Sequence, residues 1–252
     1  MNVIHLESVD STNNYLRYLV EQNPELETYT IVVADSQTHG KGQRGNSWDS
    51  EPGKNLMISM LLRPNLLAAP KARLFDINVI AALSVREALS ELVSRHRVFI
   101  KWPNDILVED NKIAGILTEN QFSGFTLEYS IVGIGVNVNQ TDFHGYPRPA
   151  TSVINERGEE VDVVRLSKEI AKGIRKRIDN LPASTDDLRN KYHQHLYKMG
   201  SSEWYRTKEG EIFKGTIEHV EENGLLIIRD DATGKKRSFA FKEVKYLSSG
   251  GN

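Results

Sequence analysis

The chain has 252 residues, 39% hydrophobic and 26% charged, enough to bury a sizeable core and too ordinary for a fibrous or wholly disordered protein. Its formal net charge is −2, from 32 Lys and Arg against 34 Asp and Glu, so nothing global draws it to nucleic acid or anionic lipid. There is no cysteine for a disulfide or thiolate site, no apolar run near the ~20 residues that span a bilayer, and no signal-peptide pattern, so the expectation is a soluble, cytoplasmic protein.

In chain order, Val3 to Val9 reads as a strand, and Asp10-Ser11-Thr12 offers a helix N-cap before Tyr15, Leu16 and Leu19. Tyr29 to Ala34 is a β-branched strand that leads into a polar loop with glycines at 40, 42 and 45. Asn55 to Arg63 is a further strand, stopped by Pro64. From Lys71 to His96 the stripe Leu74, Ile77, Ala81, Val85, Ala88, Leu92 steps by three and four, which specifies a helix. Val98 to Lys101, Ile106 to Val108, Ile113 to Thr118 and Leu127 to Val138 are strand-like. Leu166, Ile170, Ile174 and Ile178 mark a second long helix, and Asp186 to Met199 a third, with Gly200 at the position of a left-handed cap.

Beyond Gly200 the texture changes to short alternating segments at Ile212 to Ile217, Leu225 to Arg229, Arg237 to Phe241 and Val244 to Leu247. Asn223-Gly224 and Thr233-Gly234 are turn signals between them. This predicts an α+β chain: a mixed-sheet domain over 1–199 and a small all-β domain over 200–248, ending in a loose Ser248 to Gly251 tail.

Four segments carry chemistry. In Gly40-Lys41-Gly42-Gln43-Arg44-Gly45, followed by Trp48, glycines expose backbone N–H groups and two cations attract an anion, so the loop reads as a phosphate or carboxylate cradle or as a basic hairpin tip. It lacks the Gly-Lys-Ser/Thr of a Walker A loop, and no helix follows it as in a dinucleotide fingerprint. In Lys101-Trp102-Pro103-Asn104-Asp105, Pro103 constrains a turn between a cation and a carboxylate. In Lys112-Ile113-Ala114-Gly115-Ile116, small residues inside an apolar strand mark a bulge or a close ligand, and Lys112 reads as a reacting cation or a solvated edge charge. Gly133-Ile134-Gly135-Val136-Asn137 repeats the pattern, with Asn137 offering a donor and an acceptor. His193 and His195, two apart on one helix, are a poor metal pair. The run Lys235-Lys236-Arg237 sits in a stretch, 203 to 246, with nine basic and nine acidic side chains, which favours a solvated hairpin over a nucleic-acid patch.

In this order, and with Asp10-Ser11-Thr12-Asn13, Gln37, Asn55-Leu56 and Glu119, these segments resemble the biotin protein ligase family, of the biotin–[acetyl-CoA-carboxylase] ligase type, over Ser8 to about Asn139 and onward to the C-terminal module. The resemblance implies a catalytic domain of the biotin/lipoate ligase type with an SH3-like β-barrel behind it. It implies ATP-dependent activation of biotin to biotinyl-5′-AMP, then transfer to a lysine of a biotin carboxyl carrier protein. Lys112, Lys101, Arg44 and Asp105 would be catalytic. Ser11, Thr12, Asn13, Gln37, Gly40, Lys41, Gly42, Gln43, Trp48, Lys112, Gly115 and Ile116 would hold biotin, while Arg44, Gly45, Trp48, Lys101, Asn104 and Asn137 would hold the nucleotide, Asn137 at the adenine. Mg²⁺ would arrive with ATP, mainly through phosphate oxygens, with Asp105 the nearest carboxylate.

The glycine loop and Thr141 to Pro149 would become ordered over the adenylate. Many relatives carry Arg-Gly-Arg-Arg-Gly-Arg through the loop, so Lys41, Gln43 and Asn46 leave fewer charges on the intermediate. The winged-helix domain of repressor members is not expected, nor are nucleic-acid or membrane partners; the assembly would be a monomer or homodimer. The nearest alternative is a lipoate–protein ligase, which shares the adenylate chemistry. A nucleic-acid module built on the small β domain is the alternative from another class.

Overall fold

A computed structural model describes residues 1–63, 74–93, 97–144, 149–181 and 185–247, apart from the Arg44 side chain. The expected stop at Pro64, both ends of the Lys71–His96 helix, the middle of Thr141 to Pro149 and the Ser248 to Gly251 tail lie outside those residues. The strands are β1 (Val3–Val9), β2 (Ile31–Gln37), β3 (Leu56–Leu62), β4 (Val98–Lys101), β5 (Asp105–Val108), β6 (Asn111–Ser123), β7 (Thr126–Val136), β8 (Ser202–Thr207), β9 (Ile212–Val220), β10 (Leu226–Asp230), β11 (Lys236–Phe239) and β12 (Val244–Tyr246). The helices are α1 (Thr12–Gln22), α2 (Leu74–Ser90), α3 (Val153–Arg157), α4 (Val163–Asp179) and α5 (Asp186–Gln194).

Seven strands form one sheet in the order β1-β2-β3-β7-β6-β5-β4, with β1 and β2 parallel and every other neighbour antiparallel. One face is covered by α1, whose Leu16 and Val20 pack on Val32, Leu61 and Ile131. The other carries α2, which is buried on most sides, as its nearly unbroken apolar run requires, and α4, whose Leu166, Ile170, Ile174 and Ile178 form the expected stripe. Asp162 caps α4 by accepting from the N–H groups of Val164 and Arg165.

The C-terminal strands form a separate antiparallel sheet in the order β11-β10-β9-β8-β12, which leaves β11 and β12 as its edges; no pairing that would close it into a barrel is seen among the described residues. Both expected turns are present, with Gly224 and Gly234 at positive φ. Tyr205, Phe213, Ile217 and Ile228 of this sheet share one buried cluster with Ile100, Trp102 and Ile80 of the larger unit.

Three expectations change. β8 and α3 have no counterpart in the sequence reading. The third helix ends at Gln194, not Met199, because residues 195–197 pair with the exposed edge of β4: Ile100 N–H donates to His195 O and Tyr197 N–H to Ile100 O, both at 2.8 Å. Gly200 has φ +72° but caps no helix. No helix among the described residues is long and apolar enough to cross a membrane.

Candidate active site

A cleft of about 1050 Å³ runs along the large sheet and on to the C-terminal sheet. Its floor is a pair of glycines. Gly115 of β6 and Gly135 of β7 are direct cross-strand partners. The Trp48 indole lies over both, so a Cβ at Gly135 would stand 2.4 Å from Trp48 Cε2. The Gly40 to Gly45 loop delivers this indole through a 2.9 Å bond from Trp48 N–H to Gly40 O and one of 2.7 Å from Gly42 N–H to Asn46 O. Trp48 Nε1 and Gln43 Oε1 are buried without hydrogen-bond partners among the described residues, an orphan donor and an orphan acceptor on the cleft wall.

The reacting cation is placed by a bulge. Lys112 and Gly115 are three residues apart, so in a regular strand they would face opposite sides. Ile106 pairs with Ala114 while Leu107 pairs with Lys112, which makes Ile113 the extra residue. The bulge returns Lys112 to the face of Gly115, whose Cβ would lie 3.2 Å from Lys112 Nζ. Asp105, paired across from Gly115, then meets Lys112 Nζ at 2.6 Å, and the ammonium stands 5.5 Å from the Trp48 ring centroid. Lys112 is therefore not a solvated edge charge: its backbone is bonded on the free side by Pro149 O and Thr151 N–H.

At one end of the cleft a polar network gathers around the start of α1. Ser11 occupies the N-cap position but makes no capping bond. Thr12 donates to Gln37 Oε1 from its backbone N–H at 2.8 Å and from its hydroxyl at 3.0 Å, which leaves the Gln37 NH₂ to present to a ligand. Asn13 donates to Glu119 at 2.7 Å, Glu119 is held by Arg17 at 2.7 Å, and Ser59 bonds both Thr12 and Asn13. Arg17 and Ser59 have no sequence signal of their own, because they act through Glu119 and Asn13.

The opposite end is built by Lys101 to Asp105, whose Trp102-Pro103 bond is cis. Asn104 donates to Ile116 O at 2.7 Å and accepts from Ile116 N–H at 2.9 Å, locking the turn to the floor strand. The wall continues into Tyr197 and, from the small β module, Arg206, Phe241 and Tyr246, which sequence reasoning missed because no motif marks them as site residues.

Of the expected residues, Ser11, Thr12, Asn13, Gln37, Lys41, Gly42, Gln43, Trp48, Lys101, Asn104, Asp105, Lys112, Gly115 and Ile116 line this one cleft. Gly40, Gly45 and Asn137 stand off its wall. Gly40 instead permits a close backbone pass, since a Cβ there would lie 2.2 Å from Trp48 O. Asn137, expected at the adenine, is buried, its side-chain NH₂ donating to Thr151 O at 2.9 Å and its backbone carbonyl accepting from Val153 N–H; it anchors the segment that starts α3.

A family model for the biotin/lipoate A/B protein ligase family matches residues 5–137, which hold the glycine loop, the bulge and the glycine floor. The chain belongs to this family. A biotin–[acetyl-CoA-carboxylase] ligase of Paracoccus denitrificans is 32% identical over 90% of this chain and 94% of its own length. The bifunctional ligase/repressor BirA of Bacillus subtilis is 30% identical over 93% of this chain and 71% of its own length. Among solved structures, a biotin protein ligase from Aquifex aeolicus in complex with biotin and ATP superposes with a TM-score of 0.78 and 26% identity, covering 98% of this chain and 99% of that one.

Proposed function

We propose that the chain is an ATP-dependent biotin–protein ligase that makes biotinyl-5′-AMP and transfers biotin to a lysine of a biotin carboxyl carrier protein. The observation that carries the reading is the Lys112–Asp105 pair standing over the Gly115–Gly135 floor, with the Thr12–Gln37–Asn13 network at one end of the same cleft. The ligases similar to this chain, and the Aquifex structure with biotin and ATP, support it.

In the first step a carboxylate oxygen of biotin forms a bond to the α-phosphorus of ATP, and the bond to the β-phosphate oxygen breaks, its electron pair leaving with pyrophosphate. Two anions must meet, and charge grows on the phosphoryl oxygens in the transition state. Lys112 and Lys101 are preplaced cations for that charge, and each strengthens as the cleft sheds water. Asp105 orients the Lys112 ammonium rather than acting as a base. The Gln37 NH₂ and the polar groups of Thr12 and Asn13 suit the carbonyl and N–H groups of a ureido head, and the glycine floor with Trp48 suits the flat apolar ring beside it. In the second step the carrier amine attacks the acyl carbon, the acyl–phosphate oxygen bond breaks, and AMP leaves as the amine proton passes to water.

Among the described residues no group of three or more His, Asp or Glu could hold a metal ion, and Asp105 is engaged by Lys112. Mg²⁺ brought in with ATP would be carried mainly by the phosphate oxygens, with Asp105 the nearest carboxylate.

The test is mass spectrometry of the protein with Mg·ATP, a carrier domain and either biotin or lipoate. Biotinyl-AMP and a biotinylated carrier are expected. Lipoyl transfer in the absence of any biotin product would overturn the reading.

A further inference from the structure

We infer that the C-terminal sheet has a direct part in adenylate formation: Tyr246, with Tyr197, forms an aromatic clamp that holds the Lys101 ammonium at the reacting end of the cleft. The inference rests on the ligase reading above and assigns positioning residues to it.

Lys101 Nζ lies 5.0 Å from the Tyr246 ring centroid and 5.8 Å from that of Tyr197. The two rings are 5.8 Å apart and tilted by 56°, so the ammonium meets both. Each ring is fixed from behind. The Tyr197 hydroxyl donates to Asp110, and the Tyr246 ring packs at 5.3 Å on buried Tyr205. The Tyr246 hydroxyl is buried with no hydrogen-bond partner among the described residues, and burial pushes its phenol well up, so it neither gives nor takes a proton near neutral pH. What Tyr246 offers the cleft is its ring. Lys198 also approaches Tyr197, at 5.5 Å, but is paired with Glu203 at 3.1 Å.

The next residue is gripped from the same sheet. The Trp102 indole N–H donates to Gly224 O at 2.9 Å in the β9–β10 turn, and its ring meets Phe241 edge-on at 6.5 Å. Three separate pieces of the C-terminal sheet thus hold two successive residues of the Lys101 to Asp105 segment. A lysine side chain is long and flexible, and a free one must be ordered at the moment of reaction. Holding the ammonium beforehand removes that requirement from the transition state. A surface that served only to receive the carrier would need no such grip on Lys101.

The experiment separates the two half-reactions in Tyr246→Leu and Tyr246→Phe, each in the parent and in Lys101→Gln. Tyr246→Leu should lower kcat for ATP–pyrophosphate exchange about tenfold, the size of one partly desolvated cation–π contact, with KM for ATP within about twofold. Transfer from supplied biotinyl-AMP should stay within about twofold, showing an intact fold. Tyr246→Phe keeps the ring and should match the parent. In Lys101→Gln the leucine substitution should add nothing, whereas a merely structural role would add its full effect. The parent protein gives a second measurement, since the clamp should move the Lys101 ε-methylene NMR signals upfield by ring currents.

Additive losses in the double variant, equal damage from Phe and Leu, unchanged exchange in Tyr246→Leu, or unshifted Lys101 methylene signals would each overturn the clamp. A parent that forms no biotinyl-AMP would overturn the ligase reading first, and the clamp's catalytic role with it.

Discussion

At the scale of single residues, the chemistry depends on one inserted amino acid. Without the extra residue at Ile113, Lys112 would point away from Gly115 and from Asp105. The sequence carries this only as a hint, since a small pair at Ala114-Gly115 signals a bulge or a close ligand without saying which side chain is turned. The same bulge ties Lys112 to the fold as well as to the chemistry. Its partner Asp105 has a side chain only 11% exposed, so removing the lysine strips a largely buried carboxylate of a 2.6 Å contact. Lys112→Ala should therefore lower both Tm and adenylate formation. Adding Asp105→Asn should restore much of the Tm while adenylate formation stays down by about 10²–10³-fold, the usual cost of losing one preorganised transition-state contact. Calorimetry beside pyrophosphate release separates the two effects; recovery of catalysis along with stability would show that Lys112 serves the fold alone.

At the scale of elements, the places where sequence reading worked share a cause. α4 repeats an apolar residue every fourth position, so burial on one side is written into the spacing, and the nearly unbroken apolar run of α2 calls for burial on most sides. α5 shows the opposite case. Its sequence permits helix to Met199, but the exposed edge of β4 accepts residues 195–197 as backbone partners, and a contact with a segment nearly a hundred residues away leaves no local trace. α5 also carries a pH-sensitive joint. His193 Nε2 accepts from Val220 N–H at 2.9 Å, and burial holds the imidazole below its usual pKa of 6.5. The charged form is thus disfavoured in the folded state. The stability this contact gives is complete above pH 6.5 and declines as pH falls from there toward the lowered folded value. The fall in Tm between pH 7.5 and 5.5 should be smaller in His193→Gln, whose side chain does not titrate. An identical fall in both proteins would remove His193 as the source.

At the scale of the whole molecule, the sequence divides more cleanly than the structure does. The change of texture after Gly200 correctly marks a second sheet, yet Tyr205, Phe213 and Ile228 are buried in the same cluster as Ile100 and Trp102. The seam is also polar. Arg189 of α5 grips buried Asp76 of α2 with a bidentate pair near 3.0 Å and reaches Glu222 of the β9–β10 turn at 2.6 Å. Alternation in short strands shows that a face is buried, not which neighbour buries it, so this joint was not legible in advance. Residues 1–199 expressed alone should lack a cooperative thermal transition, because they would expose the apolar surface that Tyr205, Phe213 and Ile228 now cover. A sharp calorimetric peak from that fragment would show that the large sheet folds without its partner.

The indole resting on two glycines also has an optical consequence. The chain has three tryptophans. Trp102 lines the far end of the cleft, mostly buried with its N–H bonded to Gly224, and Trp204 is half exposed on β8; neither touches the floor glycines. Trp48 does, with an unpaired N–H and a cation close to its face. A ligand seated on the floor must displace that indole from Gly135, so the emission of Trp48 gives the molecule a built-in gauge of occupancy at the point where the reaction takes place.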